Sequence, residues 1–219
     1  MSSRCRIVPA ILTDDPQALG TMVKNVGAFA TWVQVDIMDG RFVPSCSVTS
    51  EHFSGLEMNF GWEVHLMVEH PEEYIRGFAE AGAERIIFHY EATPSPEEVI
   101  AKVKELNLKV GLALNPETPV SSVVHLIGGL DSILFLSVHP GFYGQKFLPE
   151  VLDKVKELRR LYPEFEIGID GGIKENNITL VAGSGVDYIC VGSAILLSPN
   201  PAGSFQNLEI LVSGDLPGR

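Results

Sequence analysis

Val33-Gln34-Val35-Asp36-Ile37-Met38-Asp39-Gly40-Arg41-Phe42-Val43-Pro44 opens as a strand and closes as a turn. From Trp32 to Met38 the run is apolar and β-branched, broken only by Gln34 and Asp36. It stops at Asp39-Gly40, with Pro44 soon after. Residues two apart on a strand share a face, so Gln34 and Asp36 point the same way from a segment otherwise suited to burial. A carboxylate in such a place must be paired, hydrogen-bonded or metal-bound. Taken alone, Asp36 reads as a strand-end residue capping its turn; the rest of the chain decides whether it is more.

The same alternation extends in both directions. Ile7 to Leu12 reads as a preceding strand, and Asp14-Asp15-Pro16 starts a helix that runs to about Phe29. After a long loop (Asp39 to about Glu57) come strands at Trp62–Met67, Arg85–His89, Val110–Leu114, Ser132–Val138, Phe165–Ile169 and Tyr188–Val191. Helices are expected after His70-Pro71, from Ser95-Pro96-Glu97-Glu98, over Val120–Ile127, over Pro149–Leu161, over Asn176–Ala182 and over Ser204–Val212. Alternating strands and helices imply a parallel sheet. Eight such units, without a linker or a shift in composition, imply an α/β fold: a single (β/α)8 TIM barrel domain over residues 1–219. An open doubly wound sheet fits less well, because no Gly-x-Gly-x-x-Gly follows the first strand.

The 219 residues and 45% hydrophobic content suit one such domain. A net charge of −12 argues against nucleic acid and an anionic membrane surface as partners. It leaves phosphorylated small molecules open, since backbone amides and helix ends bind phosphate. Cys5, Cys46 and Cys190 have no metal-ligand spacing and leave an odd thiol, which reads as a reducing, cytoplasmic setting. The apolar run Ile7–Leu12 is too short for a signal peptide or a membrane span.

In barrels of this type the active site collects at the C-terminal strand ends. Asp36 ends strand two, His65 lies on strand three and Asp170 ends strand seven. Strands two and three are neighbours, whereas strands two and seven stand three steps apart around the ring, so the carboxylates face each other across the mouth. Two acids on opposite sides of a substrate can remove a proton from one face of a carbon and return one to the other. Inversion at a carbon next to a carbonyl needs that arrangement. Gly141 and Gly144, Gly171-Gly172 and Gly192-Ser193 end strands six, seven and eight. One glycine group is an ordinary turn; three on consecutive strand ends suggest a phosphate cradle. His65 alone would read as a satisfied core histidine. His52, His70, His125 and His139 read as surface or loop residues, and His89 as a residue lining the mouth.

These residues belong to longer stretches: Val35-Asp36-Ile37-Met38-Asp39-Gly40 with Phe42-Val43-Pro44, Val64-His65-Leu66-Met67, His89-Tyr90-Glu91-Ala92, Leu114-Asn115-Pro116-Glu117-Thr118-Pro119, Ser137-Val138-His139-Pro140-Gly141-Phe142, Gly144-Gln145-Lys146-Phe147, Asp170-Gly171-Gly172-Ile173 and Val191-Gly192-Ser193-Ala194-Ile195. In that order the chain resembles the ribulose-phosphate 3-epimerase family over most of its length. The resemblance implies a cytoplasmic isomerase of the pentose phosphate pathway. Its substrate would be a small phosphorylated sugar, most directly D-ribulose 5-phosphate converted to D-xylulose 5-phosphate through an enediolate. It implies Asp36 and Asp170 as proton-transfer groups, and Asp36, His65 and Asp170 as ligands of one divalent metal (Zn, Mn, Mg or Fe). Gly141, Phe142, Tyr143, Gly144, Gly171, Gly172, Gly192 and Ser193 become phosphate and substrate loops, Met38 and Met67 the lining beside the enediolate, and the enzyme a homo-oligomer.

Some positions depart from the family pattern. Gln34 stands where the family has a fourth metal ligand, a His; its neutral oxygen is a poorer partner for zinc, so the metal is expected to be weakly held or absent. Ala10 and Thr13 each replace a Ser, and Tyr143 replaces a Gly. Alternatives are an epimerase of a ketohexose 6-phosphate and a sugar-phosphate-binding homologue with little activity. Related barrel aldolases and decarboxylases carry Asp-x-Lys-x-x-Asp, but here Met38 holds the Lys position.

Overall fold

A computed structural model describes residues 5–141 and 145–214. Its strands are β1 (Arg6–Ile11), β2 (Trp32–Met38), β3 (Gly61–Met67), β4 (Arg85–His89), β5 (Lys109–Leu114), β6 (Ser132–Leu136), β7 (Glu166–Asp170) and β8 (Tyr188–Val191). All neighbours pair in parallel, and β8 returns to β1, so the sheet closes into a barrel in chain order. Closure leaves no exposed sheet edge. The outer layer holds helices α1 (Pro16–Val26), α2 (Ile75–Glu80), α3 (Pro96–Glu105), α4 (Val151–Leu161), α5 (Ile178–Ala182), α6 (Ser193–Leu196) and α7 (Pro201–Ser213).

The two-residue period of the strands divides the core in two. Val33, Val35 and Ile37 of β2, Trp62, Val64 and Leu66 of β3, and Ile167 and Ile169 of β7 face outward into the large cluster shared with the helices. Val155 and Leu158 of α4 and Val99 and Val103 of α3 bury their stripes against that layer. A smaller cluster of Val8, Ala10, Ile87, Ala113, Leu134, Leu136, Tyr188 and Cys190 fills the barrel interior. Gly168 is part of that fit. A Cβ there would lie 2.1 Å from the Tyr188 ring, which crosses the interior at this level.

The helical reading of Val120–Ile127 is corrected. That stretch forms two 3-10 segments, Val120–Ser122 and Val124–Gly129, with a break at Val123 (φ −121°). Val120, Val123 and Val124 are β-branched and stiff, and Gly128-Gly129 adds little helical preference. The segment after His70 is also mostly tight: Pro71–Glu73 is 3-10, and α2 spans only six residues. The last helix begins earlier than Ser204, at Pro201, where Asn200 accepts the Gly203 N–H at 3.0 Å as its cap. The short α6 follows β8 directly; at about one turn it is too brief for a helical period to show in the sequence. No helix among the described residues is long and apolar enough to cross a membrane.

Candidate active site

The β2–β3 register sets Asp36 beside His65. His65 Nδ1 lies 2.9 Å from Asp36 Oδ1 and 3.7 Å from Asp170 Oδ2. Asp170 arrives from the opposite side, at the end of β7. Ser137 pins that end: its hydroxyl contacts the main-chain oxygens of Asp170 (3.0 Å) and Gly171 (2.7 Å). Gln34, one layer below Asp36, closes the group. Its Nε2 donates to Asp36 Oδ1 at 2.9 Å and to Asp170 Oδ2 at 2.7 Å, while its Oε1 accepts from Cys190 Sγ at 3.0 Å. The amide therefore ties the two acids together.

Two carboxylates this close, largely out of water, cannot both ionise freely. Burial, then the Asp36 charge, raises the Asp170 pKa to about 7, against the pull of His65 and the Gln34 hydrogen bond. For His65, burial opposes the imidazolium. The Asp36 hydrogen bond and the Asp36 and Asp170 charges outweigh it and hold the pKa above its ordinary value. Cys190 is the reverse case: burial, and then the Asp170 charge, keep its thiol firmly protonated, fit to donate to Gln34.

One atom each from Asp36, His65 and Asp170 lies within 4.8 Å of the others, a set that can hold a divalent metal ion. Two carboxylate oxygens and one imidazole nitrogen with space left beside them suit a catalytic metal better than a closed structural one. As hydrogen-bonded here, Gln34 presents N–H rather than oxygen to that space, so it would have to turn over to become a ligand.

Above the cluster opens a cleft of about 760 Å³, part of it solvent. Met38 and Met67 line it, packed with Val43, as do Gly141, Gly171, Gly172, Gly192 and Ser193. Phe142, Tyr143 and Gly144 lie outside the described residues. Gly171 (φ 109°) and Gly172 (φ 67°) turn the chain in the left-handed region, which other residues adopt only with strain. Ser193 is the first residue of α6, where helical N–H groups have no partner within the helix. Ala10 is buried in the wall of the cleft, and Thr13 turns away, its Oγ1 accepting the Asp15 N–H at 3.1 Å. The loop after β2 folds back over one side: Asp39 accepts from the Arg41, Phe42 and Glu69 amides, and Ser45 donates to the Gly141 oxygen at 2.6 Å.

His89 does not line the mouth. It is fully buried behind His65, under Phe42, whose ring centroid is 4.8 Å from its own. Cys190 and Ser137 also join the site: Cys190 lies just outside the Val191–Ile195 stretch, and Ser137 opens the Ser137–Phe142 stretch without being marked there as a site residue. The pairing of Cys190 with Asp170 sets its side chain inward, which strand alternation can indicate; Ser137 acts through main-chain contacts that no residue pattern announces.

A closed β/α barrel with buried acids and a histidine at its C-terminal strand ends, beside a glycine-lined rim, defines a class: barrel enzymes that move protons on small molecules. The ribulose-phosphate 3 epimerase family model matches residues 6–196. The chain is 39% identical to ribulose-phosphate 3-epimerase of Synechocystis sp. (92% of each chain). It is 37% identical to that of Bacillus subtilis (87% of this chain, 91% of the relative) and 39% to that of Escherichia coli K12 (89% and 90%). The chain belongs to the ribulose-phosphate 3-epimerase family, whose members are isomerases. Among solved structures, 3-keto-L-gulonate-6-phosphate decarboxylase from Vibrio cholerae shares the fold, with a TM-score of 0.73 over 98% of this chain and all of that one, at 16% identity.

Proposed function

We propose that this protein inverts C3 of D-ribulose 5-phosphate to give D-xylulose 5-phosphate, with Asp36 and Asp170 as the two proton-transfer groups. One observation carries the reading: two acids from opposite sides of the barrel, largely shut off from water, meet at a single amide, Gln34. Near neutrality such a pair holds an ionised base and a protonated acid together, the state that two-sided proton transfer needs. The base takes the proton from C3, the C3–H electron pair becomes the C2=C3 double bond, and the carbonyl π pair moves onto the C2 oxygen to give an enediolate. The other acid then delivers its proton to C3 from the opposite face. The carboxylates exchange protonation states in each turnover and reset through solvent.

Asp36, His65 and Asp170 would hold the divalent metal, which when bound stabilises negative charge on the enediolate oxygens. Met38 and Met67 supply a polarizable apolar wall that keeps water from the reacting carbon. The phosphate is assigned to backbone N–H groups of the strand-end loops, Gly172 and Ser193 foremost, with Gly141, Gly171 and Gly192 lining the cleft beside them.

The test is a coupled epimerisation assay on ribulose 5-phosphate beside a ketohexose 6-phosphate. Turnover of the pentose, lowered about 100-fold or more by Asp36→Asn and by Asp170→Asn, is the expected result. Preference for the hexose would reassign the substrate, and a variant within severalfold of wild type would remove that Asp from the mechanism.

A further inference from the structure

Behind His65 runs a chain of hydrogen bonds that the proton-transfer scheme leaves unexplained. His65 Nε2 lies 3.0 Å from His89 Nε2, both rings fully buried and their planes 24° apart. On its far side His89 Nδ1 faces Glu91 Oε2 at 3.4 Å. Glu91 is itself held: its Oε1 accepts from the Asn115 N–H at 3.0 Å and from Thr118 Oγ1. Lys154 Nζ fixes that loop through the carbonyl oxygens of Asn115, Pro116 and Thr118, at 2.7–3.0 Å.

Donor and acceptor roles along this chain follow from the far end. A carboxylate that already accepts two hydrogen bonds offers only acceptors to His89, so His89 Nδ1 carries a proton. Two nitrogens 3.0 Å apart share one proton, and a ring buried in full carries a second proton only at a high desolvation cost. His89 Nε2 is then bare, and only His65 Nε2 is left to supply the shared proton.

We propose that His89 and Glu91 are positioning residues that hold a proton on His65 Nε2 and thereby keep Nδ1 of that ring turned to Asp36 and Asp170. The role rests on the reading of His65 as part of the working site. The consequence is the same with and without a metal. With one, the Nδ1 lone pair faces the ion, because the other nitrogen is committed to His89. Without one, Nδ1 offers a hydrogen bond to the acid pair. In either state the ring cannot rotate without breaking its contact with His89. Metal-ligating histidines generally fix their second nitrogen on a neighbouring acceptor. Here the acceptor is a neutral imidazole, with the carboxylate one step further out.

The direct test is nuclear magnetic resonance on the full-length protein labelled with ¹⁵N-histidine. The expected signature is a nitrogen–nitrogen coupling across the hydrogen bond between His65 and His89, with the proton on His65 Nε2. A proton on His89 Nε2, or a bare His65 Nε2, overturns the proposal whatever the variants do. The second readout is zinc affinity by competition with a chelating dye. His89→Phe, which keeps the ring volume and removes the acceptor, should weaken binding about 10–100-fold. His89→Gln, whose side-chain oxygen can accept from His65, should recover most of that loss. Equal affinity in wild type and His89→Phe, or equal loss in both variants, would make His89 a packing residue only. Epimerase activity is measured separately. A wild type that carries the coupling but does not epimerise ribulose 5-phosphate refutes the functional reading and supports the positioning role.

Discussion

The two ends of the barrel interior both gather acids and a basic group, with β3 and β7 contributing to each, and treat them differently. At the lower end, Glu63 of β3 and Glu166 of β7 both meet Arg85, which lies 2.6 Å from Glu63 and 2.7 Å from Glu166; Arg6 also pairs with Glu166. Arg85 is sandwiched by aromatic faces, 5.1 Å from the Tyr188 centroid and 5.6 Å from that of Trp32, and the Trp32 N–H donates to Glu63 at 3.0 Å. At the upper end, His65 stands two residues beyond Glu63 and Asp170 four beyond Glu166. There no arginine or lysine pairs with Asp36 or Asp170 among the described residues; their partners are an amide and an imidazole. Acids matched by guanidinium groups close the floor of the barrel. Acids left short of permanent positive charge are free to hold a proton, or a metal, that can leave.

If that contrast is right, the two ends should fail differently. The largest effect is expected from Arg85→Met, which leaves Glu63 buried without its cation. Stability in urea should fall by about 3–5 kcal/mol, while the folded fraction keeps its turnover within severalfold. Lost turnover at unchanged stability would place Arg85 in the site instead.

Next comes Gln34→His, which replaces the bridging amide with an imidazole whose nitrogen can ligate. Zinc affinity should rise about tenfold or more, read by a competing dye. Equal affinities, or a wild type that keeps stoichiometric zinc through dialysis, would show that Gln34 does not weaken the metal site.

The smallest effect is a pH slope. The Asp170 pKa is about 7 in the folded chain against an ordinary 3.8, so between those values the folded state holds a proton that the unfolded chain has released. That contribution to stability is fully present below the ordinary value and lost as pH rises toward 7. Asp170→Asn should flatten the slope relative to wild type in urea titrations at acid and slightly alkaline pH. Parallel slopes would mean that the acid pair is not strained.

The upper end is largely legible in the amino-acid sequence, because strand alternation carries side-chain direction. Gln34 and Asp36 share a face by that rule alone, and the order of strands places His65 beside Asp36 and Asp170 opposite. The lower end is not. Arg85 and Glu166 open their strands and Glu63 is the third residue of its own, near the end where a charge reads as an ordinary flank, and only the closed register brings them together. His89 reads as a mouth residue for a related reason. Phe42, which packs against its ring, comes from the long loop after β2, whose path periodicity does not describe.

The central claim is that Asp36 and Asp170 serve opposite faces of one carbon. The measurement that addresses it most directly is incorporation of solvent deuterium at C3 of each epimer by Asp36→Asn and by Asp170→Asn. Each variant should lose epimerisation yet exchange the C3 proton of one epimer, and the two variants should exchange different epimers, since each retains the base for one face. Exchange of the same epimer by both variants, or epimerisation within severalfold of wild type in either, would contradict the assignment.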